Sequence, residues 1–291
     1  MIRRPPRSTQ GVSSAASDVY KRQVETTDHV AHIRMTRPER ANSMIPEFWD
    51  ELPEIVDQLS DGDDARAIVL SAEGRHFCSG MDLSVFAGNN DVSVQGNTKH
   101  VSRQRASFRT TALQLQRSFS CLEESRLPVL SAIQGACIGG GIDMVSATDL
   151  RYATKDAFFC IQEINIGMTA DVGTLQRLPK LVPEGVVREL AYTGRNMSAL
   201  EAKERGFINE IYEDQDEMDD AVLEVAKQIA SKSPMAIWGT KRTLNYGRDH
   251  SVADGLDYIA TWNAAMFDPD DMAEAFMAQT ENRDAQFPDH R

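Results

Sequence analysis

From Val24 onward, short apolar runs alternate with amphipathic stretches, which is the pattern of a domain that mixes strands and helices. Five apolar runs predict strands at residues 29–35, 67–71, 128–133, 150–153 and 157–161. Between and around them, apolar residues recur every three or four positions and predict helices at residues 46–59, 101–123 and 142–147. The order of these elements favours the α/β fold class.

After Leu190 the periodicity is mostly helical, with helices predicted at residues 198–204, 218–231, 234–246 and 252–265. We therefore expect a core over residues 24–195 and a helical C-terminal region over residues 196–291. The rhythm of strand, strand and helix over residues 29–160 is compatible with a spiral of similar turns, although no repeat carries identical motifs.

The chain is acidic, with a composition typical of globular proteins. Of its 291 residues, 41% are hydrophobic and 26% are charged, and the formal net charge is −13. This charge repels phosphates, so we expect no binding to nucleic acid, and a phosphate-bearing ligand would need a local basic patch. No apolar run approaches the ~20 residues that a membrane span requires, so no membrane association is expected.

Neither the four cysteines nor the six histidines have the spacing of metal ligands. The cysteines have apolar or glycine neighbours, which suits buried thiols in a reducing compartment. The sequence therefore predicts neither a metal site nor a disulfide.

Residues 1–23 differ in composition from the rest of the chain. They carry five basic residues and one acidic residue, as organellar transit peptides do, but they lack an amphipathic apolar stripe. They resemble translated sequencing-adapter sequence, so we expect a non-native leader that says nothing about localisation. The last four residues are not a peroxisomal signal of the SKL type. The cytoplasm of a bacterium is the first expectation for the compartment, and the mitochondrion is the second.

Two loops place glycine where a predicted strand meets a helix, at residues 77–82 (FCSGMD) and 137–143 (CIGGGID). Small residues let a ligand approach the backbone, and N–H groups at a helix start favour negative charge. Two such N–H groups that converge on one oxygen form an oxyanion hole, in which each donor stabilises a developing enolate by about 2.7–4 kcal/mol. Each loop taken alone is equally well explained by close packing of a helix on a strand.

Together with residues 37–42 (RPERAN), the two loops resemble the crotonase family of enoyl-CoA hydratases and isomerases, and the resemblance covers residues 24–283. It implies a spiral of ββα turns with a helical C-terminal region that supports homotrimers, which can pair into hexamers. It also implies an acyl-CoA substrate whose thioester oxygen accepts from the backbone N–H groups of Ser79 and Gly140. The implied contacts with substrate or coenzyme A are Arg40, Ala41, Ser79, Gly80, Met81, Asp82, Leu83, Gly140 and Lys241.

Three acidic residues indicate the subtype. Asp143 lies just inside the glycine-started helix, Glu163 follows 20 residues later, and Asp171 lies 8 residues beyond Glu163. Hydratases of the family carry Glu at the first two positions and generally glycine near the third. With residues 139–159 (GGGIDMVSATDLRYATKDAFF) and 170–179 (ADVGTLQRLP), the pattern resembles the Δ3,5-Δ2,4-dienoyl-CoA isomerases.

The reaction of those enzymes suits two carboxylates. A 3,5-dienoyl thioester has an acidic proton at carbon 2, because the carbanion delocalises into the thioester and the diene. Moving both double bonds needs a base at carbon 2 and an acid at carbon 6, without a metal or redox cofactor, and coenzyme A is part of the substrate. The resemblance assigns Glu163 to carbon 2 and Asp171 to carbon 6, with Asp143 orienting or polarising, while the sequence leaves the two main roles interchangeable.

Two other functions stay open at this point. Asp143 and Glu163 could hold a water, as in an enoyl-CoA hydratase, and the chain could be a CoA-binding or RNA-associated scaffold without catalysis. The acidic charge argues against RNA, and the presence of all three carboxylates argues against an inactive scaffold. Taken singly, each acid also has an ordinary structural explanation, as a first-turn helix acid, an ion-pair partner or a cap.

Overall fold

A six-stranded sheet forms the centre of the molecule, whose computed structural model describes residues 22–82 and 101–290. Its strands are β1 (Arg22–Thr27), β2 (Val30–Met35), β3 (Ala67–Ala72), β4 (Val129–Ile133), β6 (Leu150–Thr154) and β9 (Glu210–Tyr212). They lie in the order β1-β2-β3-β4-β6-β9, antiparallel between β1 and β2 and parallel elsewhere. Because parallel strands are covered on both faces, β3 and β4 are buried along their whole length.

A second, smaller sheet has three strands, two of which directly follow strands of the large sheet along the chain. It contains β5 (Ala136–Ile138), β7 (Phe158–Cys160) and β8 (Met197–Ser198), in that order. The chain passes from β4 to β5 through residues 134–135 and from β6 to β7 through residues 155–157. In both cases a strand of the large sheet is followed at once by a strand of the small one, which is the pair of strands in the ββα turn that the family resemblance implies.

Ten α-helices surround the sheets within the described residues. They are α1 (Phe48–Asp61), α2 (Val101–Glu124), α3 (Gly140–Ser146), α4 (Thr174–Arg177), α5 (Glu184–Thr193), α6 (Ala199–Glu204), α7 (Gln215–Ala230), α8 (Pro234–Gly247), α9 (Val252–Met266) and α10 (Pro269–Glu281). Several start at a side-chain cap, and Ser251 forms a reciprocal capping box with Asp254 at the start of α9.

The hydrophobic core lies on both faces of the large sheet. On one face, Phe48, Leu52 and Phe119 from α1 and α2 pack with residues of β2 and β3 and with both glycine loops. On the other face, α7 buries Met218 and Val222 against the remaining side chains of the strands. The sheet is therefore the middle layer between helices, and the glycine loops are held at its edge by the larger cluster.

The predicted strands and helices are confirmed within three residues, and seven further strands and α-helices are not predicted. These are β1, β5, β8, the three-residue β9, α4, α5 and α10. β9 lies beyond residue 196 and pairs with β6, so the region predicted to be helical also contributes a strand to the large sheet. The boundary between the two predicted regions stays a prediction.

The C-terminal helices leave a set of large apolar side chains exposed. None of the helices in residues 22–82 and 101–290 is long and apolar enough to cross a bilayer. The exposed set on and around α8, α9 and α10 comprises Leu244, Val252, Leu256, Phe267, Met272, Phe276 and Met277.

Candidate active site

A backbone bridge joins the two glycine loops. Cys78 pairs with Cys137 in a parallel bridge, in which the Cys78 N–H donates to the Ala136 carbonyl at 3.0 Å. The Ile138 N–H returns a hydrogen bond to the Cys78 carbonyl at 2.9 Å. The sequence therefore brings the loops together as predicted, because the strands that precede them end side by side.

Past the bridge, Gly80 faces the start of α3. Gly80 has φ +87°, and a Cβ there would lie 2.9 Å from the Ile138 carbonyl oxygen and 3.5 Å from the Gly140 nitrogen. Gly140 is the first residue of α3, so its N–H has no acceptor within the helix. The missing side chain of Gly80 thus leaves room beside an N–H group that can bind an oxygen.

The Ser79 N–H does not face this space, because it donates to the Ala41 carbonyl at 3.0 Å. The predicted oxyanion donor at Ser79 is therefore wrong for this chain. Two residues on, the Met81 N–H has no hydrogen-bond acceptor among the described residues. Met44 bonds the residues on either side of Met81, Gly80 and Asp82, at 2.8 and 2.9 Å. Because the N–H groups of successive residues in extended backbone point to opposite sides, and the Asp82 N–H points to Met44, the Met81 N–H points away from Met44.

The turn at residues 37–42 packs against this loop and is locked by Asn42, which sequence reasoning missed as a site residue. Ala41 and Asn42 have positive φ angles of 46° and 52°. The buried Asn42 side chain accepts from the Arg37 N–H at 2.9 Å and donates to the carbonyls of Glu73 and His76 at 2.9 and 2.8 Å. Asparagine tolerates the left-handed conformation, and that preference is the available signal in the sequence.

Of the other predicted substrate contacts, Arg40 is exposed at the turn, and Leu83 lies outside the described residues. Asp82 points back to the turn: Asp82 Oδ2 accepts from Ser43 Oγ at 2.8 Å and pairs with Arg37 Nη2 at 3.8 Å. Asp82 therefore braces the loop against the turn.

The three acids converge from separate elements. Asp143, in the first turn of α3, is fully buried, and its Oδ1 accepts from the Thr174 N–H at 2.6 Å. Glu163 begins a short 3-10 helix, Glu163–Ile166, and its Oε1 would lie 3.4 Å from a Cβ on Gly139. The carbonyl of Asp171 accepts from Gln116 Nε2 at 2.8 Å, which ties this loop to α2. Among the described residues, Asp143 Oδ2 and Glu163 Oε2 are buried without a hydrogen-bond partner.

The pKa of each carboxyl is raised. Burial raises the pKa of Asp143 to about 6 and that of Glu163 to about 7, and it also raises the pKa of Asp171. After burial, the charges of Asp143 and Asp171 raise the pKa of Glu163 further. Asp143 accepts from Thr174, three residues after Asp171, and Glu163 Oε1 lies beside Gly139 at the start of the helix that carries Asp143, so the structure brings together the three acids that the sequence singles out.

Asp143→Asn is expected to stabilise the protein at high pH. The folded-state pKa of about 6 lies above the ordinary value of 3.8, so the folded chain binds the proton more tightly and loses stability as pH rises between these values. Asparagine removes that loss, by at most about 3 kcal/mol. Urea unfolding at pH 4 and pH 8 measures the difference in the free energy of unfolding between the variant and the parent chain. A stability difference between variant and parent that is the same at both pH values would contradict the assignment.

Lys241 is not placed to meet a coenzyme A phosphate, and that prediction is wrong. Its side chain is 4% exposed, and its Nζ donates to the carbonyls of Leu122 and Leu127 at 2.8 Å each. The third partner is Asp149 Oδ2, also at 2.8 Å. An ammonium group has three donors, and all three are used inside the protein. Lys241 therefore ties α8 to the end of α2 and to the start of β6.

Lys241→Met is expected to lower the free energy of unfolding by about 2–4 kcal/mol, because it removes the buried ammonium that pairs with Asp149 and donates to two carbonyls. Denaturant unfolding measures the loss. Lys232→Met, at an exposed position, is the matched control and is expected to change stability little. Equal stability of both variants would show that the buried ammonium contributes nothing.

This arrangement of glycine loops, acids and ββα turns has a family counterpart. The family model described as enoyl-CoA hydratase/isomerase matches residues 25–290. The chain therefore belongs to the enoyl-CoA hydratase/isomerase family, whose fold is the crotonase spiral. Among solved structures, an enoyl-CoA hydratase from Bacillus anthracis superposes with a TM-score of 0.82 at 28% identity, covering 92% of this chain and 98% of that one.

Among its relatives, the chain is similar to proteins named Delta(3,5)-Delta(2,4)-dienoyl-CoA isomerase. The mitochondrial one from Mus musculus is 40% identical over 95% of this chain and 88% of the relative. The mitochondrial one from Homo sapiens is 42% identical over 88% and 77%. The peroxisomal one from Arabidopsis thaliana is 40% identical over 90% and 94%. Since these names cover two compartments, the expected bacterial cytoplasm stays a prediction.

Proposed function

We propose that the chain isomerises 3,5-dienoyl-CoA to 2,4-dienoyl-CoA in the oxidation of unsaturated fatty acids. The observation that carries the proposal is the third carboxylate, Asp171, near Asp143 and Glu163. Water addition needs one pair of acids around a water, whereas transposition of two double bonds needs proton transfer at two distant carbons. The names of the relatives support the same reaction.

In the proposed mechanism, the thioester oxygen accepts from the backbone N–H groups of Met81 and Gly140. Glu163 removes a proton from carbon 2, and the electron pair delocalises through the thioester and the diene. Asp171 then delivers a proton to carbon 6, which leaves the conjugated 2,4-diene. No electron is gained or lost, so the proposal uses no redox cofactor, and the two backbone N–H groups polarise the thioester oxygen without a metal ion. A pKa of about 7 suits Glu163 to proton exchange near neutral pH.

Asp143 takes a supporting role in this proposal. Its position next to Glu163 and the negative charge that it carries when ionised make it an electrostatic neighbour that raises the proton affinity of Glu163. The contacts expected from Arg40 and Ala41 would place coenzyme A along the turn at residues 37–42. Gly80 and Gly140 would admit the thioester between the loops.

We further propose that the chain assembles as a homotrimer or hexamer through its C-terminal helices. The exposed apolar set on and around α8, α9 and α10 includes Leu256 and Phe276, each more than 60% exposed in the single chain. Large contiguous apolar surfaces on a monomer usually mark an interface. Light scattering after size exclusion decides the state, and a monomer at micromolar concentration would reject this proposal.

The test of function is an ultraviolet assay of the purified full chain with 3,5-dienoyl-CoA, which follows the absorbance of the conjugated 2,4-dienoyl thioester. A 2-enoyl-CoA is assayed in parallel, because Asp143 and Glu163 could also hold a water. Conjugated product with slow hydration supports the isomerase. Brisk hydration without conjugated product would identify a hydratase, and CoA binding without either reaction would identify a scaffold.

A further inference from the structure

The loop that carries the Met81 N–H is attached to the turn at residues 37–42 at several points. Ala41 accepts from the Ser79 N–H at 3.0 Å. Met44, just after the turn, bonds the neighbours of Met81 on both sides, as described above. The backbone of the loop is thus pinned at its start and on either side of the proposed donor.

A side-chain network closes the same loop. Ser43 Oγ donates to Asp82 Oδ2 at 2.8 Å, and Arg37 Nη1 donates to the Ser43 carbonyl at 2.7 Å. Arg37 Nη2 lies 3.8 Å from Asp82 Oδ2. The side chains of Arg37 and Asp82 are only 17% and 18% exposed, and Ser43 is buried. Because these side chains are shielded from water, their charged contacts are stronger and hold the Asp82 carboxylate in one orientation.

The network adjoins Met81, because Asp82 is the next residue. A donor in an oxyanion hole must be held to within about 0.5 Å and 10–20° of its productive direction. Asp82 fixes the peptide that follows Met81, and Met44 fixes the two flanking backbone groups. Without the side-chain contacts of Asp82, the hydrogen bond from the Asp82 N–H to the Met44 carbonyl would still restrain the backbone after Met81.

We propose that Asp82, held by Ser43 and Arg37, is a positioning residue that aims the Met81 N–H at the thioester oxygen. The resemblance to the family suggested a contact between Asp82 and the substrate, whereas the geometry gives it an internal role. The catalytic consequence rests on the proposed function, since it requires an acyl thioester in the site. The charge and direction of the Asp82 carboxylate itself do not depend on which reaction follows.

The test compares Asp82→Asn, Asp82→Ala and Ser43→Ala in the full chain. Asp82→Asn keeps an acceptor for Ser43 but loses the charge that faces Arg37, and Asp82→Ala loses both contacts. We expect kcat to fall by about 10-fold to 10²-fold in Asp82→Ala and less in Asp82→Asn, with the affinity for a saturated acyl-CoA almost unchanged. Ser233→Ala is the matched control, because it removes another Ser–Asp hydrogen bond, to Asp271, away from the site.

A second measurement does not need turnover. The infrared stretching frequency of the thioester carbonyl in a bound saturated acyl-CoA reports how strongly the oxygen is polarised. In the parent chain we expect a shift to lower frequency than in water, and in Asp82→Ala a smaller shift at full occupancy. The control Ser233→Ala is expected to keep the parent frequency. Thermal unfolding of every variant verifies that the fold is present under the assay conditions.

The outcomes separate this inference from the proposed isomerase. If the parent chain makes no conjugated product but its bound thioester shows the shift and Asp82→Ala loses it, the positioning role stands and the isomerase proposal fails. If Asp82→Ala keeps both kcat and the carbonyl frequency of the parent, Asp82 does not aim the donor. If affinity falls while the frequency at saturation stays unchanged, Asp82 contacts the substrate instead.

Discussion

Glu163→Gln and Asp171→Asn are each expected to lower the rate of conversion of 3,5-dienoyl-CoA by about 10²-fold or more. Each amide keeps the size of the acid but cannot take up or deliver the proton. The two positions act on opposite ends of one transposition, so either loss stops the reaction. Single-turnover absorbance measurements on the variants give the rates, with thioester binding measured separately.

The matched control for this pair is Glu184→Gln, which makes the same change from acid to amide in an exposed ion pair with Arg188. That variant is expected to retain the parent rate, since exposed pairs contribute little to stability. A further comparison is exchange of the carbon 2 proton with deuterated solvent. If Asp171→Asn loses product formation but retains this exchange, Glu163 works at carbon 2. Full activity in Asp171→Asn would remove Asp171 from the mechanism.

Gly80→Ala is expected to lower kcat by about 10²-fold, because it separates the two glycine loops at the proposed oxyanion hole. The added Cβ would lie 2.9 Å from the Ile138 carbonyl oxygen, and backbone on both sides must move to admit it. The Gly140 N–H, only 3.5 Å from the same point, would be displaced from Met81. Steady-state kinetics measure the effect, and calorimetry measures the stability.

An alanine at position 80 is also strained by the positive φ angle, apart from its contact with the other loop. A second glycine with a similar φ angle but open space around its Cβ position serves as a control for this backbone strain. Gly206 has φ +81° against +87° at Gly80, and a Cβ there would meet its nearest atom, the Leu181 carbonyl oxygen, only at 4.0 Å. Gly206→Ala should therefore cost a similar amount of stability, about 1–2 kcal/mol, without a change in kcat. Equal kcat in the two variants would mean that loop separation does not matter.

The sequence predicts the central elements of the fold because they are buried on both faces. Residues of β3 and β4 are apolar except for one serine in each strand, Ser71 and Ser131, and α1 and α2 have regular apolar spacing. β9 gives no such signal, since Glu210–Tyr212 is three residues long and becomes a strand only through its pairing with β6. α10 escapes prediction because several of its apolar side chains, Met272 and Phe276 among them, are exposed and do not mark one buried stripe.

The acids of the site are identified from the sequence, whereas one of the two proposed oxyanion donors, the Met81 N–H, is not. Asp143, Glu163 and Asp171 occur at recognisable distances in the chain: Asp143 belongs to a predicted helix start, Glu163 follows a predicted strand, and Asp171 lies in the loop beyond it. Whether a backbone N–H is available depends on contacts between distant segments, as the bond from Ser79 to Ala41 illustrates. Lys241 fails for the same reason: its charge is visible in the sequence, but its three partners come from α2, the loop before β4 and the residue preceding β6.

All four cysteines of the chain are free thiols and buried. Burial raises the pKa of Cys78 and Cys121 to about 12 and raises those of Cys137 and Cys160 as well, so thiolate is scarce at neutral pH. A cysteine introduced on the surface would therefore react with maleimide dyes far ahead of the native ones. Gly185 in α5, where an added Cβ meets open space, is such a position. The natural chain thus provides a background for single-site fluorescence labelling without removal of any native thiol.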